Sequence, residues 1–321
     1  MLKILPGRHQ NFLVNPGRSR LFQKQKKPQR SMIFGIIANT QIPRIWDVLP
    51  DFLVWLKSKG AQIIVCEDLR DHLKDSKLNF LPPDKLAAKS NMVLSFGGDG
   101  TLLSTARKIG RSQTPIMGVN LGGLGYLAEI SLGSLQPRIE ELLSGSYRVE
   151  DRMVLRCRVE GKPDEYFALN DIIIGKGAAH RVVNIRTTIG GRYLNTYTGD
   201  GLIVATPTGS TAYSLSSGGP IVEPSLGALI VNPIAPHTLA DRPIVIGGDK
   251  EIEALVEGSP NELTLVADGQ VKCQLGPGDR VLIQRADFVT KLALFHDKYF
   301  YDVLREKLKW GDSPYKRTTS E

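Results

Sequence analysis

No stretch of the 321-residue chain stays apolar for the roughly 18 residues that a membrane-spanning helix needs, so no such span is expected. Cysteine is scarce: Cys66, Cys157 and Cys273 lie far apart, with no CxxC pair and no histidine cluster at ligand spacing. A disulfide framework or a zinc site is not expected from so few thiols, and a reducing compartment fits, the cytoplasm being the expected location. The 32 glycines and 19 prolines follow no period, which excludes a collagen-like or low-complexity chain. With 41 % hydrophobic and 23 % charged residues the composition is that of a globular protein, long enough for two domains with their own cores.

Acidic residues are absent from positions 1–31, which carry Lys3, Arg8, Arg18, Arg20, Lys24, Lys26, Lys27 and Arg30. Those eight account for the whole formal charge of +8, because without them 33 basic residues face 33 acidic ones. A neutral body from Met32 onward argues against a broad nucleic-acid face. The basic leader reads as a disordered arm, an acid-poor organelle-targeting segment, or an extension upstream of a start at Met32. A disordered or artefactual leader is the expectation, with targeting as the minor alternative. Secretion is not expected, since no apolar core follows Lys3.

From Met32 the pattern alternates strand and helix. Ile33–Ala38 is apolar and β-branched, Trp46–Lys57 has helical spacing up to Gly60, and Gln62–Cys66 reads as a strand. Met92–Phe96, a helix over Thr101–Ile109 and the strand Pro115–Asn120 continue the series. Such alternation predicts a parallel sheet with helices on both faces over residues 32–148. Near residue 150 the grammar changes: Leu155, Cys157 and Val159 alternate with charged residues. Short strands are then expected at Ala168–Ile174, Val182–Ile189, Leu202–Ala205, Leu229–Val231, Ile252–Val256, Leu263–Ala267 and Arg280–Gln284. Separated by turn residues, they predict an all-β antiparallel sandwich over 149–295. Tyr299–Lys309 regains helical spacing, and within 296–321 it is expected to pack back on the first domain before a tail.

Four segments could carry chemistry. Gly97-Gly98-Asp99-Gly100-Thr101 lies where an apolar strand gives way to a helix, so its amides can approach a phosphate. No Lys-Ser/Thr follows, which excludes a Walker-type loop. Asp99 inside an anion site could take a proton from an attacking hydroxyl or hold a metal bridging phosphates; it could equally cap the helix in a tight turn. Gly122-Gly123-Leu124-Gly125-Tyr126-Leu127-Ala128 contains a GxGxxA string, but it comes too late in the fold for a dinucleotide fingerprint, and a hinge or pocket wall is expected. Asn170-Asp171 interrupts an apolar stretch, so one of the pair must point inward; the pair could take ribose hydroxyls or an adenine edge, or mark a strand end. Gly199-Asp200-Gly201 leads into Thr206–Pro220, rich in small hydroxyl residues with one Tyr213, which reads as a loop, a short helix and its cap able to offer amides and hydroxyls to a nucleotide; composition alone also fits a flexible loop. No Ser or Cys nucleophile stands at motif spacing from a histidine.

Taken together, Gly97–Thr101, Ala168–Ile174, Asp200–Pro220, Pro236–Leu239 with Arg242-Pro243, and Asp268-Gly269-Gln270 resemble the NAD kinase family over residues 32–310. The resemblance implies an α/β domain like that of phosphofructokinase and diacylglycerol kinase, followed by a β-sandwich. It implies transfer of the ATP γ-phosphoryl group to the adenosine-ribose 2′-hydroxyl of NAD. Mg²⁺ or another divalent ion would be held mainly through the phosphates rather than by protein ligands, and homodimers or homotetramers would form. Asp99 would then be the general base, with Gly97, Gly98, Gly100 and Thr101 shaping the phosphate loop. Asn170 and Asp171 would bind a ribose of NAD, and Asp200 would reach the nicotinamide end, often from a neighbouring subunit. Thr211, Ala212, Tyr213, Ser214, Leu215 and Ser216 would surround the adenine and ribose, with Ala235 and Gln270 completing the pocket and Arg181 at a basic contact position. Two positions depart from the pattern: Asp171 stands where Glu is frequent, and Thr198 where a basic residue is frequent. A lipid kinase of the diacylglycerol type would not need Thr206–Pro220, and a non-catalytic nucleotide sensor would not need Asp99.

Overall fold

The computed structural model describes residues 32–73, 75, 77–123, 125–176, 182–258 and 263–310. The basic leader, Arg181 and the tail after residue 310 lie outside them.

The β-branched run after Met32 opens a series of buried parallel strands. In chain order these are β1 (Ile33–Ala38), helix α1 (Ile45–Ser58), β2 (Gln62–Cys66), β3 (Asn79–Leu81), α2 (Pro83–Lys89), β4 (Met92–Gly97), α3 (Asp99–Ile109), β5 (Ile116–Asn120), β6 (Ile130–Ser131) and α4 (Leu135–Leu143). The strands pair in the order β5-β4-β1-β2-β3, all parallel, with β6 beside β5. Both faces of β4 are buried, as a parallel strand covered by helices requires. Phe34, Ile36, Leu94 and Phe96 sit in that core with Leu49, Phe52 and Leu102 from the helices. Helix α3 begins two residues before the sequence pattern predicts. Gly98 is extended at φ −108°, and its carbonyl accepts from Thr101 and Leu102 at 3.0 and 3.1 Å, so the first turn closes around Asp99.

The second half comprises β7 (Arg148–Val159), β8 (Glu165–Ala168), β9 (Asp171–Gly175), β10 (Val183–Ile189), β11 (Arg192–Gly199), β12 (Gly201–Ala205), α5 (Tyr213–Ser216), β13 (Ala228–Ile234), β14 (Ile244–Gly247), β15 (Ile252–Glu257), β16 (Leu263–Ala267), β17 (Val271–Leu275), β18 (Arg280–Leu294) and α6 (Phe300–Leu308). One antiparallel sheet runs β14-β13-β12-β9-β16-β17. The other, β11-β10-β15-β18 with β7 and β8, faces it across a core of Leu155, Ile172, Ile174, Val204, Leu229, Leu265 and Ile283. The second half is therefore the expected antiparallel two-sheet arrangement.

Two strands differ from expectation in ways that build the site. The stretch Ala168–Ile174 is not one strand: β8 ends at Ala168 in one sheet and β9 starts at Asp171 in the other, with Leu169-Asn170 crossing between them. β18 runs on to Leu294 rather than ending at Gln284. An irregularity after Arg285 breaks its alternation, but it pairs antiparallel with β7 on both sides of that break and, through Leu292 and Ile116, parallel with β5. The parallel and antiparallel halves thus share one continuous sheet. Helix α6 touches both: the Tyr301 hydroxyl donates to Glu223 at 3.1 Å, and Lys307 Nζ lies 5.6 Å from the Tyr126 ring centre.

Candidate active site

The loop after β4 is shaped by what its residues lack. A Cβ on Gly97 would fall onto the Thr101 hydroxyl, so only glycine lets the first turn of α3 fold back on the strand end. A buried hydrogen bond of 2.9 Å between Ser95 and Thr105 fixes the helix to β4. Asp99, first residue of α3, points at the segment before β6. Its Oδ2 accepts the N–H of Tyr126 at 2.6 Å, and its Oδ1 those of Leu127 and Ala128 at 3.1 and 3.2 Å. The glycine-rich string is therefore a strap for Asp99. Gly125 has to be glycine, because a Cβ there would fall on Asp99 Oδ1. A carboxylate offers about four acceptor positions, so the strap occupies three and leaves one.

The second element is the crossing between β8 and β9. Asp268, in a left-handed conformation at φ +49°, directs its carboxylate at the crossing backbone. Oδ2 accepts from Leu169 at 2.9 Å, and Oδ1 from Asn170 at 2.8 Å and Asp171 at 3.3 Å. Three amides turning away from one ladder toward another are thereby satisfied, which is why the strand splits there. Asp171 is the inward member of the pair, 3 % exposed on the face of β9 opposite Ile172 and Ile174, while Asn170 Oδ1 is buried without a partner among the described residues. Burial, reinforced by the Asp268 charge, pushes the Asp171 carboxyl up to about 7. Burial also raises Asp268, against the pull of its three amides and of Arg107. Those four contacts favour the ionised form of Asp268 against its burial.

The Thr206–Pro220 string closes over this crossing. Thr206 donates its hydroxyl to Leu169 O at 2.6 Å and its N–H to Asn170 O at 2.8 Å, and a Cβ on Gly209 would strike Asn170 O. Ser210 exchanges hydrogen bonds with Val222, and buried Asn232 donates to Ser214 O and Oγ at 2.9 and 3.2 Å. The hydroxyls that sequence alone would allow as a flexible loop are thus largely anchors for a fixed turn, Thr211–Ser216, from which Tyr213 projects, 44 % exposed.

Gln270 joins the two elements. Its Nε2 donates to Gly100 O at 2.8 Å across the interface between the halves, and its Oε1 accepts from Arg107. A cleft of about 620 Å³, large enough for a nucleotide, is lined by Gly98, Gly100, Thr101, Asn39, Lys108 and Gln270. A second hollow, about 260 Å³, brings Tyr126 and Leu127 of the strap beside Thr208 and Thr211. Gly98, Gly100, Thr101 and Gln270 thus line one cleft, Thr211 shares the second hollow with the strap, and Asn170 packs under Gly209 of the string that leads into Thr211–Ser216. Asp200 and Ala235 line neither: they adjoin each other, with Asp200 N donating to Ile234 O at 2.9 Å, and Lys176 pairs with Asp200 at 2.6 Å. Among the described residues no hydrogen bond joins either to the phosphate loop. Sequence reasoning did not assign roles to Asp268, Arg107 or Lys176.

Comparison with known proteins identifies the family of the chain. The model of the ATP-NAD kinase N-terminal domain matches residues 34–147, and that of the ATP-NAD kinase C-terminal domain residues 169–295. The NAD kinase of Geotalea daltonii is 42 % identical over 285 residues, covering 87 % of this chain and 98 % of that protein. The NAD kinase of Moorella thermoacetica is 42 % identical over 282 residues, covering 87 % and 90 %. Yeast NADH kinase complexed with NADH superposes with a TM-score of 0.81 at 25 % identity, covering 91 % of each chain. An NAD kinase from Archaeoglobus fulgidus in complex with ATP gives a TM-score of 0.70 at 26 % identity, covering 87 % of this chain and 99 % of that one. Both domains match in order around a strapped aspartate and a nucleotide-sized cleft, and the chain belongs to the NAD kinase family, phosphotransferases that act on an alcohol group of NAD.

Proposed function

We propose that Asp99 accepts the proton of the adenosine-ribose 2′-hydroxyl of NAD while that oxygen attacks the γ-phosphorus of ATP. The new O–P bond forms as the bond to the β-phosphate oxygen breaks, giving NADP and ADP. The observation that carries this reading is the strap: three backbone N–H groups hold both carboxylate oxygens and leave one acceptor position for the hydroxyl. A base held this way needs no reorganisation at the moment of reaction, and positioning supplies most of the rate in phosphoryl transfer.

The phosphates of ATP would rest against the amides at the start of α3, where the helix end favours anions. Asn170 and Asp171 would take ribose hydroxyls, with the buried Asn170 Oδ1, which has no partner among the described residues, as an acceptor and Asp171 able to donate when protonated. Thr211, Ala212, Ser214, Leu215 and Ser216 would border the adenosine, with Tyr213 stacking on a base, while Gln270 keeps the loop closed on them. Asp200 and Ala235 would serve the nicotinamide end of a second copy's site in a homodimer or homotetramer. Their separation from the phosphate loop supports this, as do Leu239, 86 % exposed, and Tyr193, 57 % exposed, on adjoining segments.

Among the described residues no three His, Cys, Asp or Glu side chains converge as a metal cage. The loop's amides and one strapped carboxylate suit phosphate oxygens better than a bare cation. A divalent ion such as Mg²⁺ would therefore enter on the ATP phosphates, whose charge it neutralises. A cytoplasmic setting, where NAD and ATP are at hand and thiols stay reduced, fits the free Cys66, Cys157 and Cys273.

The test is incubation with NAD, ATP and Mg²⁺, the product being read by a dehydrogenase that accepts only the 2′-phosphorylated coenzyme. Turnover supports the reading. Binding of NAD with no product favours the sensor, and phosphorylation of diacylglycerol instead favours the lipid kinase.

A further inference from the structure

Arg107 lies on α3 two helical turns beyond Asp99, and nothing in the phosphoryl-transfer scheme above uses it. Its Nη2 donates to Gln270 Oε1, while Gln270 Nε2 donates to Gly100 O at 2.8 Å. The amide of Gln270 is thus held at both ends by the same helix, once at its third turn and once at its first. An amide free to rotate by half a turn would present oxygen to the Gly100 carbonyl, which is repulsive; a donor at Oε1 removes that alternative. Arg107 and Asp268 also line one hollow of about 30 Å³, and the Arg107 charge acts on the Asp268 carboxylate. Arg107 Nη1 is buried with no partner among the described residues.

We propose that Arg107 is a positioning residue for phosphoryl transfer, acting through Gln270 to fix the loop that carries Asp99 against the turn that holds Asn170 and Asp171. The inference rests on the kinase reading, and it divides the labour across the interface. Asn170 and Asp171 stay in place through Asp268 whether or not Arg107 is present, so NAD binding is largely preserved without it. The phosphate loop, by contrast, meets the opposite domain through the Gln270 bond to Gly100. Without Arg107 the loop and its base drift relative to a correctly bound acceptor, which lowers kcat.

The test compares Arg107→Met, Arg107→Lys, Gln270→Leu and the Arg107→Met/Gln270→Leu double variant with the parent enzyme. The readouts are kcat, the KM for NAD, NAD affinity by calorimetry, and melting temperature. Arg107→Met should lower kcat by about 10–100-fold, the scale of a misplacement of under 1 Å, with KM and NAD affinity within about threefold of the parent. Arg107→Lys keeps one donor at reach of Gln270 and should recover part of the loss. The double variant should be no slower than Gln270→Leu alone, because residues that act as one unit are not additive. Additive losses, or a KM that rises in step with the fall in kcat, would overturn the proposal, as would unchanged kcat in Arg107→Met. A parent enzyme that forms no NADP is a different failure, that of the kinase reading itself. If Arg107→Met does not fold, the comparison of Arg107→Lys with Gln270→Leu carries the same decision.

Discussion

Gly125→Ala is a one-carbon change that tests the strap without touching a side chain that contacts substrate. At positions whose backbone alanine can adopt, such a change stabilises by about 0.4–1 kcal/mol. Here the added Cβ would fall on Asp99 Oδ1, with Cγ 2.6 Å and Oδ2 2.9 Å away. The carboxylate must retreat by about 1 Å, and hydrogen bonds have a useful range of only about 0.5 Å. At least two of the three amide bonds break, each worth about 1.5–3 kcal/mol to a charged acceptor, so with partial relaxation a loss of ~2–4 kcal/mol in stability follows. A base displaced by about 1 Å should slow turnover by about 10²-fold. The assay is coupled NADP formation at saturating NAD and ATP, alongside urea unfolding. A decisive control is Gly125→Ala on an Asp99→Ala background, where the clash is gone and the methyl should be neutral or stabilising. Normal turnover in Gly125→Ala, or equal destabilisation on both backgrounds, would refute the strap as the reason for this glycine.

Two further outcomes follow from the buried acids. Asp171, raised to about 7 from 3.8, holds a proton in the native state that the unfolded chain has already released. Stability should therefore fall as pH rises from about 4 to about 7 and level off above, by up to ~1.4 kcal/mol per pH unit for that proton. Asp171→Asn should flatten this dependence in urea unfolding at pH 5 and pH 7, and an unchanged slope would remove the assignment. Asp268→Asn keeps the shape but turns an NH₂ toward amides of Leu169–Asp171, so at least one N–H loses its acceptor. A loss of ~2–3 kcal/mol is expected, with a raised KM for NAD, and near-parental values of both would contradict the role given to Asp268.

The sequence displayed the alternating pattern of the first half and the short strands of the second because both follow from local periodicity. What it hid were features set by contacts distant along the chain. The break between Ala168 and Asp171 depends on an acid about 98 positions later, so an apolar run looked continuous. The full length of β18 was obscured by the irregularity after Arg285, where alternation fails although the strand continues. Within the site, Asp99, Asn170 and Asp171 stood out as polar residues in unusual settings, whereas Gln270 came only with the family resemblance. The strap and Arg107 did not stand out, since a backbone amide has no sequence signature and an arginine on a helix looks like surface. Arg181 falls outside the described residues, and the roles of Asp200 and Ala235 await a second copy of the chain.

Whether Asp99 is the base in transfer from ATP to NAD is decided by NADP formation by the parent and by Asp99→Asn under single-turnover conditions with Mg²⁺. The parent should form product readily, and the variant should still bind NAD but turn over about 10²–10⁴-fold more slowly, the usual share of a general base. Near-parental turnover by Asp99→Asn with intact NAD binding would contradict that role.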